Sequence, residues 1–380
     1  MIVSIKDGFK LIGITIVIFC AVFVCTFFLN FYIDAKAING LITDPETLVL
    51  YKAQMATAKF TCAISGGVLA LIAVIMLIFY IKLYIDGHAN QIGVLKAMGY
   101  SEWKIAIRFA IFGISVLLGA VLGFGGGFVL MPTVYRQMTI SGLPEIAINF
   151  HPILLFLLVI APTVVFTFLS CIYAYFALKR PVMELLRGKS EKIKISVNKG
   201  RETERSFLKE TCLKTITAKK SLAFFVAFAC FCFSAMVQMA ASMYDLSTET
   251  MGVIIFVIGV VLAVTSILMA ITTLVKGNIK NVAIMKAFGY SIKESALSVL
   301  GGYHIFALIG FVVGTFYQYG LLSLMVNMVY KDVVGVPEYS FNIPVFFITL
   351  VVFILFYELV MIVYAYRISK ISVKEVMTEN

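Results

Sequence analysis

Charge is what this sequence lacks. Only 13% of its 380 residues are Asp, Glu, Lys or Arg, about half the share found in ordinary soluble domains. With 61% hydrophobic residues and a mean hydropathy of +1.01, too little polar surface exists to cover a water-soluble globule of this length. The hydrophobicity excludes a disordered chain, and the length excludes a small disulfide scaffold. Histidine is scarce as well. His88, His151 and His304 are the full set, and none stands in a Glu-x-x-His or His-x-x-x-His spacing, so no metal site or intramembrane metalloprotease is indicated. No Gly-x-x-x-x-Gly-Lys-Ser/Thr phosphate loop occurs, so the chain itself carries no standard ATP site and no cofactor is expected in it.

What is present is a series of long apolar runs. Eight stretches, residues 11–33, 60–81, 109–131, 152–178, 221–244, 250–275, 295–330 and 339–366, carry no charge, apart from Glu358 in the last. Each is long enough to cross the hydrocarbon core as a helix. Continuous runs of this kind do not fit the alternating ten-residue segments of a β-barrel. The seventh run is too long for one perpendicular crossing and predicts a long, tilted or bent helix. The first outer connection is expected at about residues 34–59. Of the seven cysteines, all but Cys212 lie in apolar runs, and Cys230-x-Cys232 has no His or carboxylate nearby, so these read as small packing residues.

Orientation follows from the cations. If the N-terminus is inside, 26 of the 31 Lys and Arg lie in cytoplasmic segments, which satisfies the positive-inside rule. The net charge of +11 therefore reads as membrane orientation and contact with anionic lipid, not as nucleic-acid binding. The expected localisation is the cell membrane, multi-pass, with both termini cytoplasmic.

The chain also repeats itself. Gln91-Ile-Gly-Val-Leu-Lys-Ala-Met-Gly-Tyr-Ser101 aligns with Asn281-Val-Ala-Ile-Met-Lys-Ala-Phe-Gly-Tyr-Ser291. Gly119 and Gly123 meet Gly310 and Gly314; Gly142, Pro144, Glu145 and Asn149 meet Gly335, Pro337, Glu338 and Asn342. Polar identities in loops are not produced by chance similarity of apolar segments. The reading is an all-α polytopic protein of eight transmembrane helices in two parallel four-helix repeats, residues 1–186 and 221–380. A basic linker with an interfacial helix, residues 187–220, joins them. Four spans per half return the chain to its starting side, so both halves share one orientation.

Within the repeated motif, Ile92, Leu95 and Met98 form a short apolar stripe beside Lys96, and Gly99 suits a helix-terminating C′ position after Gln91 has opened the segment. Val282, Met285, Phe288, Lys286 and Gly289 repeat it. A short amphipathic helix present twice on the inside is shaped to dock in a groove of a soluble partner. Other candidates are Glu358, an acid at membrane depth, and Glu145 and Glu338, symmetric residues at two outer turns. The glycine cluster Gly119, Gly123 and Gly125–Gly127 suits close helix approach, either between the halves or in plain packing.

At this motif the chain resembles the FtsX/MacB-like permease family, whose pattern runs approximately E-I-G-[IV]-[LM]-[KR]-A-[LIM]-G-[AY]-[ST] after a second span. Residues Gln91 to Ser101 fit it at all but the first place, and Pro181-Val-Met-Glu-Leu185 fits the P-x-x-x-L element after the fourth span. The resemblance implies that the motif is a coupling helix contacting a separate cytoplasmic ABC ATPase, in two copies, and that ATP hydrolysis moves an amphipathic substrate such as a peptide or lipid, or an extracytoplasmic accessory protein. The chain departs from the family in having Gln91 and Asn281 where an acid is usual, and in lacking a large extracytoplasmic domain. An ion-coupled secondary transporter using Glu358, or a non-transporting membrane scaffold, are the other classes the residues admit.

Overall fold

The structure is a computed structural model. It describes residues 12–38, 42, 44–138, 146–186, 207–246, 249–291, 294–295, 299–329 and 340–370. The described residues are helical without strands, and eight helices are long and apolar enough to cross a membrane. The chain is an all-α polytopic membrane protein.

In the first half, α1 (Ile12–Lys36) is followed by α2 (Pro45–Gly87), α3 (Ala89–Ala97) and α4 (Glu102–Ala106). A 3-10 segment (Ile107–Phe112) leads into α5 (Gly113–Met138), and α6 (Pro152–Leu178) contains a π-turn at Phe156–Ile160; α7 (Val182–Leu186) closes the half. After α8 (Phe207–Ala218) the second half runs through α9 (Lys220–Leu246), α10 (Glu249–Ala287), α11 (Tyr303–Val329) and α12 (Ile343–Lys370). The crossing helices α1, α2, α5 and α6 correspond to α9, α10, α11 and α12. We call the end bearing α3 the motif end and the opposite end the far end.

Two expectations about boundaries need correction. Residues 45–59 do not belong to an outer loop: Asp44 caps α2, accepting from Thr47 N at 3.0 Å with Pro45 at the first turn. At about 64 Å, α2 is roughly twice the hydrocarbon thickness, so it projects well past its apolar run. The seventh run is not one bent helix, because Gly301 and Gly302 form a turn before α11 begins at Tyr303. Helix α8 turns part of its apolar face onto the bundle. Cys212 and Ile216 fill the space beside Gly302, where even a Cβ would collide with both.

The glycine seams lie within the halves, not between them. A Cβ on Gly119 or Gly123 would meet Thr15 O or Phe19 O of α1 at 2.5 and 2.6 Å. Likewise, one on Gly310 would strike Ala227 O of α9, and one on Gly314 would meet Phe231 O at 2.5 Å. Only residues without a side chain permit the two backbones of each pair to touch. The halves meet instead along their first two spans. Helix α10 packs on α1, and reciprocally Phe79 of α2 stacks on Phe225 of α9 at 4.4 Å, with Lys82 Nζ donating to Ser221 Oγ at 2.7 Å.

Candidate functional site

Both copies of the motif terminate in the same way. Gly99 and Gly289 each adopt φ 88°, a conformation glycine takes without Cβ strain. Gly99 N donates to Lys96 O and Tyr100 N to Leu95 O, at 3.0 and 3.1 Å; Gly289 and Tyr290 repeat this with Lys286 and Met285 at 3.0 and 3.2 Å. This is the Schellman arrangement, and it fixes the next residues at a set angle. The copies differ in how they begin. His88 separates α3 from α2, whereas the second copy simply continues α10.

The structure redistributes the expected contact stripe. Ile92 is fully buried among the first half's own core residues, alongside Leu185 of α7, and Leu95 is half-buried against them. In the second copy Val282 and Met285 are equally enclosed by their own half. These residues therefore do not face water. Gln91 is exposed, and the apolar residues that do point outward are Val94 and Met98, matched by Ile284 and Phe288. They are spaced i, i+4 on one helix face. The sequence signal for Val94 and Ile284 was present, since both copies keep that place apolar, but it lay off the stripe assumed to face a partner.

Lys96 also turns inward. Its side chain is 9% exposed and its ammonium reaches three acceptors: Glu102 Oε1 at 2.9 Å, Leu178 O at 2.7 Å and Arg180 O at 2.8 Å. The Leu178 carbonyl ends α6, at the negative pole of that helix, and the Arg180 carbonyl lies two residues beyond it. Arg180 Nη1 in turn donates to Asp86 Oδ1 at 2.6 Å. Lys96 thus ties the motif to the fourth span, which accounts for a lysine there without any partner. In the second copy, Ser291 and Glu294 form a reciprocal capping box: Ser291 N reaches Glu294 Oε2 at 3.0 Å and Glu294 N reaches Ser291 Oγ at 3.3 Å. The Ser291 hydroxyl and amide hold the Glu294 carboxyl below its ordinary value.

Deeper in the second half, Glu358 has a partner that the sequence spacing hid. His304 Nε2 lies 2.7 Å from Glu358 Oε1, joining α11 to α12. At the far end of the first half is a polar cluster that sequence reasoning missed. Asp34, nearly fully buried, accepts from Asn30 Nδ2 and Tyr135 OH at 2.8 Å each, from Asn149 N and Nδ2 at 3.3 and 3.2 Å, and faces His151 Nε2 at 2.8 Å. The clue was an acid at the very end of the first apolar run. Between the equivalent helices the second half carries a neutral cluster, not at the place of Asp34: Gln238 Nε2 donates to Ser234 Oγ and Thr315 Oγ1, each at 2.8 Å. The outer-turn candidates Glu145 and Glu338 lie outside the described residues.

A cavity of about 100 Å³ opens between the halves toward the far end. Phe27, Phe28 and Thr61 line one side, and Met236, Met239 and Ile258 the other. Its walls are almost wholly carbon; Thr61 Oγ1 has no hydrogen-bond partner. Among the described residues no group of three or more His, Cys, Asp or Glu could hold a metal.

Eight crossing helices, a doubled motif with rigidly capped ends and glycine seams in each half define a polytopic membrane protein built from two like units. The model of the FtsX-like permease C-terminal region matches residues 63–182 and 253–373, more than half of the chain, and includes both motifs. The chain belongs to the FtsX-like permease family. No curated protein and no solved structure matches it.

Proposed function

We propose that this chain is the permease subunit of an ABC transporter-like complex, driven by a separate cytoplasmic ATPase that docks in two copies on the motif end. Permeases of this family generally pair with such an ATPase. The observation that carries the reading is the repeated outward pair, Val94 with Met98 and Ile284 with Phe288. Both pairs stand on helices stopped by the same glycine geometry, so a push on either is delivered to a rigid element. Lys96 then passes that push to the end of α6 and the residues after it through its bonds to Leu178 O and Arg180 O. The excess of Lys and Arg at the motif end favours a cytoplasmic position for it and for both termini.

The work is done on an amphipathic substrate, a peptide or lipid, or on an extracytoplasmic accessory protein. The carbon-lined cavity between the halves supports an amphipathic molecule, because only its hydrocarbon part gains by entering such a space. Purification from native membranes followed by mass spectrometry tests the assignment. An ABC ATPase recovered at about two copies per chain is the expected result; a preparation that is fully active with no ATPase present would overturn it.

A further inference from the structure

The His304–Glu358 pair stands where the fold needs no such pair. Counting 191 residues back, the offset of the glycine seams, places Gly113 and Thr167 at the same points of the first half. There the two helices approach so closely that a Cβ on Gly113 would strike Thr167 Oγ1. The same helix crossing is thus built in one half from a glycine and a threonine. In the other it carries an imidazole and a carboxyl, with side chains 34% and 47% exposed. Glu358 lies about 13 Å along its helix from Arg367, well inside the hydrocarbon.

Donor accounting limits what the pair can hold. His304 Nδ1 lies 2.8 Å from Gly301 O, which only accepts, so Nδ1 carries a proton. A single further hydrogen then joins Nε2 to Glu358 Oε1: either Nε2–H donates to a carboxylate, or the carboxylic acid donates to bare Nε2. Both forms have no net charge. Removing that hydrogen leaves a net negative charge facing lipid, and adding another leaves a net positive one, and each is costly there. The other titratable groups beside the pair are Tyr303, the residue before His304, and Tyr357 of α12, with its ring centroid 5.2 Å from the imidazole. Cys230 of α9 lies in the same buried cluster as that tyrosine. Between Tyr303 and Val329, and between Ile343 and Tyr366, no other residue is charged.

We propose that His304 and Glu358 form a one-proton site on the lipid-facing surface of the second half, absent from the first, whose proton sets whether α11 and α12 can part. With the proton on the imidazole, an ion pair holds the helices together in a medium of low dielectric. With the proton on the carboxyl, the two neutral groups can separate, and each can meet lipid alone. The site rests on the assignment of the spans and does not depend on the ATPase reading.

The test uses dicyclohexylcarbodiimide, a membrane-soluble reagent for protonated carboxyls in apolar surroundings. The acid adds across its C=N bond, oxygen to carbon and proton to nitrogen, with no other reactant. In reconstituted vesicles, peptide mapping should find the adduct at Glu358. His304→Gln should react several-fold faster at neutral pH, because a carboxyl without its cation must keep the proton. The double variant His304→Gly, Glu358→Thr copies the first half's residues; it should fold and remain unlabelled at this position. No adduct at Glu358 at any pH, or equal rates in wild type and His304→Gln, would overturn the proposal. A second measurement does not depend on the His304 variant. The infrared difference between wild type and Glu358→Gln should contain a protonated-carboxyl band, and absence of that band would likewise overturn it.

Discussion

The two halves share a frame and differ in where they place polarity. Both pack their third span on their first through paired glycines, and both stop the repeated motif with a glycine at the same φ. In the first half, charge is concentrated at the two ends of the bundle. Lys96, Glu102, Arg180 and Asp86 lace the motif end, and Asp34 with four partner residues closes the far end. The second half uses Ser234, Gln238 and Thr315 between the equivalent helices and keeps one ionisable pair at lipid depth. The comparison teaches that backbone contact through glycine supports the repeat, while each half is free to distribute its polar groups according to its own role.

The largest expected difference between the halves is at these buried networks. Asp34→Ala takes an acceptor from the amide of Asn30, the Tyr135 hydroxyl and the Asn149 groups, at a cost of about 3–5 kcal/mol. Gln238→Leu removes a neutral member whose neighbours Ser234 and Thr315 still lie 3.1 Å apart, so about 1 kcal/mol is expected. Thermal unfolding in detergent should separate the two variants clearly; similar losses would break the contrast.

Lys96→Met comes next. It strands Glu102 and the Leu178 and Arg180 carbonyls, and about 2–4 kcal/mol should be lost, because hydrogen bonds from an ammonium are stronger than neutral ones. The same unfolding measurement applies, with insertion into the membrane unchanged. Smaller, and equal in the two halves, is the effect of filling a seam. Gly123→Ala and Gly314→Ala each press a methyl against a backbone carbonyl and should cost about 1–3 kcal/mol. A drop confined to one half would show that the seams are not equivalent.

The smallest effect is one of pH. Because the Glu294 carboxyl is held below its ordinary value by Ser291, its contribution is present above the unfolded value and is lost as pH falls through the folded one. Amide protection at the start of the segment after Gly289, taken relative to the intrinsic exchange rate at each pH, should therefore fall in acid. The segment after Gly99 should not respond by this route, since Ser101 is followed three residues later by Lys104, not by an acid. Ser291→Ala should abolish the response.

The eight spans were legible because charge is so costly in hydrocarbon that its absence marks them. The repeat was legible because polar loop residues recur at one spacing. Helix ends were less so: α2 extends past its apolar run because Asp44 and Pro45 start a helix that needs no lipid around it. The facing of the motif was misjudged for a physical reason. An apolar stripe signals burial without saying against what, and here Ile92 and Met285 are covered by their own half. His304 and Glu358 lie 54 residues apart, and Asp34 and His151 lie 117 apart, so neither pair could be matched by local spacing.

The central claim is that the two motif ends dock an ATPase through their outward residues, and one comparison of variants addresses it directly. Met98→Asp combined with Phe288→Asp places charge on two exposed positions, where the fold of the chain should be untouched. Recovery of the ATPase with the purified permease should fall to background, since a buried unpaired charge at a contact is strongly unfavourable. Normal recovery of the ATPase with this folded double variant would contradict the account.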